Sequence, residues 1–417
     1  MTSESNGIPP PTHGGPRIAL IGAAFSANMG AASMLRAAVT ALRRDLPGAQ
    51  LVVLTTYPEA DRLEPDLPPE IEIVDLRPER LALVDWPLSL LSGFLRQVGV
   101  PSDWLLRTKS LRAMARADVV VDLAGISFVD GRGIPTLVYN TMMTSAPVAL
   151  GSPVVKMSQA MGPLRRRSTR LAARFVLPRL KRIAARGRIT HCHLEEFGLD
   201  NVIDAADVAF LMETSTSHKE RAQALVPPRG AGLRVGIVPS QVVRQYQEAD
   251  GGDYMDLMTR FLLHLESKGH SVALLPHAIQ SGRPAGKMND LPLVRELAEK
   301  ATVEPPSVEN VGPEVLREAI AACDVVVTSR FHAMVSALAT DTPTVVLGWS
   351  HKYREVLDQF DQADAAVDYR GVTLDRLVET FNRVTADLPS RRMAIAEHRP
   401  QVEESARANI EAVRVLL

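Results

Sequence analysis

A short apolar run, Asp324-Val-Val-Val-Thr328, hands Ser329, Arg330, Phe331 and His332 to the first turn of what reads as a helix. Free backbone N–H groups and the helix dipole favour a negative ligand at such a terminus. An arginine grips carboxylate or phosphate through paired hydrogen bonds, and a histidine moves protons near neutral pH. Ser329, Arg330 and His332 are therefore read as an anion site with acid–base chemistry, against the plainer reading of a helix cap with a partly buried histidine. One strand later, Thr342-Pro-Thr-Val-Val-Leu-Gly-Trp-Ser-His-Lys352 sets Lys352 beyond a neighbouring strand end. There its ammonium is in reach of the same anion, unless it is simply a solvated lysine. His277, at the end of Ala273-Leu-Leu-Pro-His277, precedes a loop with Gly282, Gly286, Asn289 and Asp290. It is a candidate to orient an acceptor hydroxyl, with a structural role as the equal alternative.

Three loops in the first half open onto a comparable edge. Ile21-Gly-Ala-Ala-Phe-Ser-Ala-Asn-Met-Gly30 joins a strand to a helix, where Asn28 and Gly30 either offer amide donors to an anion or Asn28 caps the helix. Asp122-Leu-Ala-Gly-Ile-Ser-Phe-Val-Asp130 and Ser158-Gln-Ala-Met-Gly-Pro163 follow two further strands. Gly125 and Gly162 permit close backbone approach. Asp130, Gln159 and His277 are the acceptor-side candidates, while His332, Arg330 and Lys352 are the catalytic ones. Neither G-x-G-x-x-G nor G-x-x-x-x-G-K-[ST] occurs, so dinucleotide and nucleoside triphosphate binding lack motif support. His191-Cys192-His193 has no partner pair, and adjacent residues rarely converge on one ion, so no metal site is expected.

The elements that must carry these loops alternate as βαβ units. Strands are expected at Arg17–Ile21, Gln50–Thr55, Ile71–Asp75, Val119–Asp122 and Val154–Met157. Helices are expected at Gly30–Arg44, Leu111–Arg116, Pro135–Ala149 and Ser168–Ala185. A Thr/Ser-rich and then Pro/Gly-rich stretch over 212–232 suits an exposed interdomain linker. A second series follows: strands Arg234–Val238, Ser271–Leu275, Val325–Thr328 and Thr344–Leu347, with helices Tyr254–Lys268, Pro292–Lys300, Pro313–Ala322 and His332–Ala339. The fold class expected is α/β, with two Rossmann-like doubly wound domains, 17–211 and 233–390, facing a central cleft as in GT-B glycosyltransferases. The segment 391–417 is expected to be a helix returning to the first domain.

Composition agrees with two domains. A chain of 417 residues with 46% hydrophobic and 23% charged residues is long enough for two cores. A formal net charge of −1 argues against general nucleic-acid binding, so small molecules and glycans are the expected partners. Two cysteines, Cys192 and Cys323, suit a reducing cytoplasm. Met1 to Pro16 reads as a disordered leader rather than a signal peptide. Leu81–Val100 is the most membrane-like stretch, but Asp85, Pro87 and Arg96 interrupt it, and packing on the sheet is the favoured reading over a surface-lying helix. Leu164–Arg188 holds ten Arg or Lys and no acid. It is read as a solvated face, with attraction for an anionic lipid carrier or the inner membrane face as the alternative.

Together these segments resemble the polysaccharide pyruvyltransferase family. The resemblance is carried by Asn28-Met-Gly30, Asp122–Asp130, Ser158–Pro163, Ala206-Asp-Val-Ala-Phe210, Leu275-Pro-His277, Asn289-Asp290 and above all Ser329-Arg-Phe-His-Ala333 with Lys352. It implies transfer of a pyruvyl group from phosphoenolpyruvate to two hydroxyls of a sugar, on a cell-surface polysaccharide or its lipid-linked precursor. It implies no cofactor beyond that donor substrate. His332 would then move the proton while Arg330 and Lys352 hold carboxylate and phosphate. The family's Arg-acid…Ser motif is not found within Ile189–Gly198, and Ala31 stands where the family has an acid after Asn-x-Gly. A nucleotide-sugar glycosyltransferase of the same fold and a catalytically silent glycan-binding protein are the competing readings.

Overall fold

The computed structural model describes residues 14–64, 66–279, 289–301, 311–348 and 351–417. Most of the Met1–Pro16 segment, and Gly282 and Gly286, lie outside the described residues.

Val-, Ile- and Leu-rich runs of four to six residues, buried on both faces, form the first sheet. Its strands are β1 (Arg17–Ile21), β2 (Gln50–Thr55), β3 (Glu72–Asp75), β4 (Val119–Asp122), β5 (Val154–Gln159), β6 (Arg182–Arg186) and β7 (Val202–Ala205). They pair in parallel in the order β3-β2-β1-β4-β5-β6-β7. The second sheet holds β8 (Arg234–Val238), β9 (Ser271–Leu274), β10 (Val325–Thr328), β11 (Thr344–Gly348) and β12 (Ala366–Asp368), all parallel in the order β12-β11-β10-β8-β9. The chain reverses its direction of travel across the first sheet between β1 and β4, and across the second between β8 and β10. Ligands of such sheets bind beyond the strand ends at these reversals. The loops after β1 and β4, and the Ser329–His332 segment after β10, stand there.

Two segments differ from the expected elements. The helix expected over Ser168–Ala185 ends at Val176, where Leu177-Pro178 passes through a single 3₁₀ turn, and Arg182–Arg186 becomes β6. Proline removes the N–H that would continue the helix. The 212–232 stretch is not simply an exposed linker. Ser215 and His218 form a capping box, Thr216–Ala222 is helical, and Ala222, Leu225 and Val226 are buried against the Pro313–Ala321 helix region. The stretch is fully exposed over 213–217 and 228–231.

The helix Leu388–Arg414 leaves the second domain and lies on the first. Its Ser405 hydroxyl accepts from the Ala206 amide at 3.0 Å, and Asn409 Nδ2 donates to the Ala206 carbonyl at 3.0 Å. One apolar cluster joins Leu20, Met34 and Val121 of the first domain to Phe331, Met334 and Leu357 of the second and Ile410 of this helix. Arg317, fully buried, adds donors across the junction to the carbonyls of Met212 and Ala209, each at 2.6 Å. The two domains therefore share one core behind the cleft.

Candidate active site

The first helix, Met29–Asp45, follows the loop after β1. Asn28 Oδ1 accepts from the Ala31 amide at 3.1 Å, which makes Asn28 the helix cap. Two residues on, Gly30 faces the second domain, and a Cβ placed there would stand 2.3 Å from Nδ1 of His332. The glycine is required by this approach and not by its backbone conformation.

His332 occupies the first turn of the Phe331–Leu338 helix that follows β10, for which Arg330 is the cap residue. Its Nε2 lies 3.4 Å from Asp207 Oδ2 and, though buried, makes no hydrogen bond among the described residues. Asp207 follows β7 and caps its own turn by accepting from the Ala209 amide at 2.9 Å. It also accepts from Arg186 Nη1 at 2.7 Å. Burial would raise the carboxyl of Asp207, but His332 and Arg186 hold it well below the usual carboxylate range. Burial pushes the His332 imidazole below its ordinary value, against the pull of Asp207. Arg186 ends β6, with its guanidinium 4.6 Å above the Phe331 ring.

This arginine lies three residues ahead of Ile189–Gly198, with Thr190 four residues further on and Gly187 between them. Arg186-Gly187-Arg188-Ile189-Thr190 thus stands at the edge of the segment in which the family's Arg-acid…Ser motif was sought, with glycine after the arginine. The arginine was hidden in the basic run Leu164–Arg188, which is not wholly a solvated face because Arg186 is buried. Gly187, at φ +87°, is packed beneath Glu355, whose Oε1 accepts from the Ile189 amide at 2.8 Å. The second domain thereby closes over the end of β6.

Lys352, in the His351–Gln359 helix, holds its Nζ 5.3 Å from the Phe331 ring centroid. Burial lowers its pKa to about 7, and the charges of Arg186 and Arg132 add to the effect. Arg186, Asp207, Phe331, Lys352 and Glu355 line one small pocket. Arg132, from the loop after β4, is the third cation of this neighbourhood, and sequence patterns did not single it out.

Other expected site residues are placed differently. Arg330 pairs with Asp290 through both Nε (2.9 Å) and Nη2, so only Nη1 is left uncommitted to that carboxylate. Asp290 in turn accepts from the Gln241 and Ala278 amides. Arg330 is thus a strut between β10 and the loop after β9 as well as a cation. His277 is buried close by, with its pKa lowered to about 3 by burial and by the charges of His332 and Arg330, and it stays neutral. The Ser329 hydroxyl lies 3.1 Å from the Tyr254 hydroxyl, and its carbonyl accepts from Tyr353.

Gln159, expected on the acceptor side, is placed in the core instead. It is fully buried, its Oε1 accepts from Ser127 and Lys156, and its Nε2 donates to the carbonyl and carboxylate of Asp122. That network holds the buried Lys156–Asp122 pair in place. Asp130 accepts from the amides of Arg165 and Arg166 at 2.8 and 3.1 Å, tying the loop after β4 to the start of the Arg167–Val176 helix. Among the described residues no cluster of His, Cys, Asp and Glu is arranged to hold a metal.

The sequence model of the polysaccharide pyruvyl transferase family matches residues 28–351, from the helix cap Asn28 to the edge of the Lys352 helix. The chain belongs to this family. A comparison with curated proteins finds no match. Solved structures with the same fold include the UDP-GlcNAc 2-epimerase of Neisseria meningitidis bound to UDP-GlcNAc, with TM-score 0.55, 12% identity, and coverage of 95% of this chain and 99% of that one. The MnaA–UDP structure of S. aureus gives TM-score 0.58 and 12% identity over 96% and 98%. A glycotransferase of kitacinnamycin gives 0.53 and 14% over 97% and 100%. At such identities the likeness is one of fold, and it places this polysaccharide pyruvyl transferase family member in the two-domain, GT-B-like class.

Proposed function

We propose that this chain transfers the pyruvyl group of phosphoenolpyruvate to two hydroxyls of one sugar, in a cell-surface polysaccharide or a lipid-linked glycan precursor, forming a cyclic ketal. The observation that carries the reading is the meeting of Arg186 and Lys352 at Phe331, beside the pair of buried Asp207 with His332, in a chain of this family. Two cations beside one aromatic ring suit a donor that carries both a carboxylate and a phosphate, and the narrow pocket between them must widen to admit it. The charges of Arg132 and Arg330 also act on Lys352.

In this reading His332 handles the proton. A doubly anionic donor raises the proton affinity of His332 and Lys352, because an opposite charge favours the protonated form. The imidazolium, held by Asp207, gives its proton to the methylene carbon of the enol, which becomes a methyl group, and positive charge develops on the neighbouring carbon. One sugar hydroxyl forms a C–O bond there and returns its proton to the imidazole. The C–O bond to phosphate then breaks, with Arg186 and Lys352 neutralising the departing group. The second hydroxyl closes the ring and passes its proton to the departed phosphate, so that donor and diol leave as ketal and hydrogen phosphate.

Phosphate release in the presence of donor and glycan tests the scheme. His332→Ala lowers turnover by about 10²–10⁴-fold, while circular dichroism and donor binding persist. Retained turnover removes His332 from the mechanism.

A further inference from the structure

The outer face of the first domain is built against the usual rule for water-exposed helices. In the helix Trp86–Gln97 the buried positions are Ser89 and Ser92, while Leu91 and Phe94 face outward. The preceding π-helical turn Leu81–Asp85 continues the pattern, with Asp85 buried and Leu83 exposed. The inner polar groups are satisfied. Asp85 accepts from Thr108 at 2.6 Å and Ser110 at 2.7 Å, Ser89 donates to the Trp86 carbonyl at 2.7 Å, and Ser92 bonds Ser102 at 2.8 Å. A surface helix normally turns its apolar stripe inward. Here Leu83 and Phe94 are 78% and 60% exposed.

The helix Arg167–Val176 shares this face. Phe94 and Phe175 line one groove together with Val148 of the intervening Ile134–Ala149 helix, with Arg96 and Arg179 at its sides. Leu171 is 73% exposed, and Arg167, Arg170 and Arg174 stand around it on the exposed side of the same helix. The chain contains no Asp or Glu from 131 to 194. Apolar side chains among arginines, without acids, are complementary to a surface that is both negative and oily.

We infer that this face docks on an anionic phospholipid bilayer, with Leu83, Leu91, Phe94, Leu171 and Phe175 entering the headgroup boundary and Arg167, Arg170 and Arg174 contacting lipid phosphates. No helix among the described residues is long and apolar enough to cross a membrane, so the contact is peripheral. Helices that follow parallel strands begin at the edge of the sheet where the cleft lies. The exposed Ile134 starts one such helix two residues after Arg132, whose charge acts on Lys352. The docking face meets that edge at its Leu83 and Arg167 end, while Phe94, Val148 and Phe175 lie toward the far ends of their helices. Resting on the function proposed above, this lets a lipid-linked sugar enter the cleft while its carrier stays in the bilayer.

Flotation of the full chain with vesicles, without donor or acceptor, tests the docking apart from the chemistry. The chain should bind phosphatidylcholine vesicles that contain phosphatidylglycerol, bind pure phosphatidylcholine far less, and be released by salt. Reversing Arg167, Arg170 and Arg174 to Glu should weaken partitioning on the order of a hundredfold. Leu91→Glu with Phe94→Glu should also abolish it while leaving circular dichroism and Tm unchanged. Failure of the wild-type chain to float with anionic vesicles, or binding that both variants keep, overturns the inference. A wild-type dimer in sedimentation equilibrium that Leu91→Glu with Phe94→Glu converts to monomer, without vesicle binding, assigns the face to self-association instead.

Discussion

Gly30 and His332 touch across the two domains so closely that a methyl group on Gly30 would stand 2.3 Å from the imidazole Nδ1. The start of the first helix therefore fixes one side of the ring, and Asp207 stands 3.4 Å from its other nitrogen. The ring is located by both domains at once, so its position reports their mutual placement. Gly30→Ala should displace the ring and cost about 1–3 kcal/mol, the range for overpacking a tight site. Turnover should fall more than this stability loss accounts for; steady-state kinetics beside urea unfolding checks it, and unchanged kcat contradicts it.

Asp207 is the shared counter-ion of Arg186 and His332. Asp207→Asn leaves the buried Arg186 without its carboxylate, and breaking such a pair costs about 3–5 kcal/mol. It should also lower the imidazole pKa further, since Asp207 is what opposes burial. Histidine ring signals followed through a pH titration read that change directly, and an unaltered His332 titration argues against the pairing.

Lys352 gives a pH signature. In the folded chain its pKa is about 7, against 10.5 for an ordinary lysine. Between these values the unfolded chain holds a proton that the folded chain lacks, so this group makes stability rise with pH across that window. An anionic donor reverses the shift, so donor binding takes up a proton and weakens as pH rises above about 7. Calorimetry in buffers of different ionisation enthalpy should show this uptake, and Lys352→Arg should reduce it to the share taken up by His332. Absence of uptake in the wild-type chain contradicts the placement of the donor.

Gln159 separates structure from recognition. Its amide bonds Asp122, Ser127 and Lys156 in a fully buried network, so Gln159→Ala should cost stability by about 1–3 kcal/mol per group left unsatisfied. The acceptor KM of the folded fraction should not change. A raised KM at unchanged Tm would falsify the structural role.

Much of the fold was legible because parallel sheets bury strands on both faces. Val119–Asp122 and Val325–Thr328, runs of valine closed by a polar residue, stand where the pattern sets them. β6 was not legible, since Arg182 and Arg186 at its ends look like the helix face that precedes them. Its misreading concealed Arg186, whose burial depends on Asp207, a partner 21 residues away. Arg330 and His332 could be named from local sequence, because both sit beside a strand end. That Arg330 is half committed to Asp290, 40 residues away, follows only from the loop after β9 folding back on β10.

The central claim is that Arg186 and Lys352 hold phosphoenolpyruvate beside His332. Its most direct test is thermal unfolding of the purified chain titrated with phosphoenolpyruvate and, in parallel, with UDP-GlcNAc, since a ligand selective for the native state raises Tm. Phosphoenolpyruvate should raise Tm in the wild-type chain and leave Arg186→Ala unmoved, with no response to the nucleotide sugar. A response to UDP-GlcNAc alone makes this a nucleotide-sugar enzyme, and no response to either ligand contradicts a donor site in this cleft.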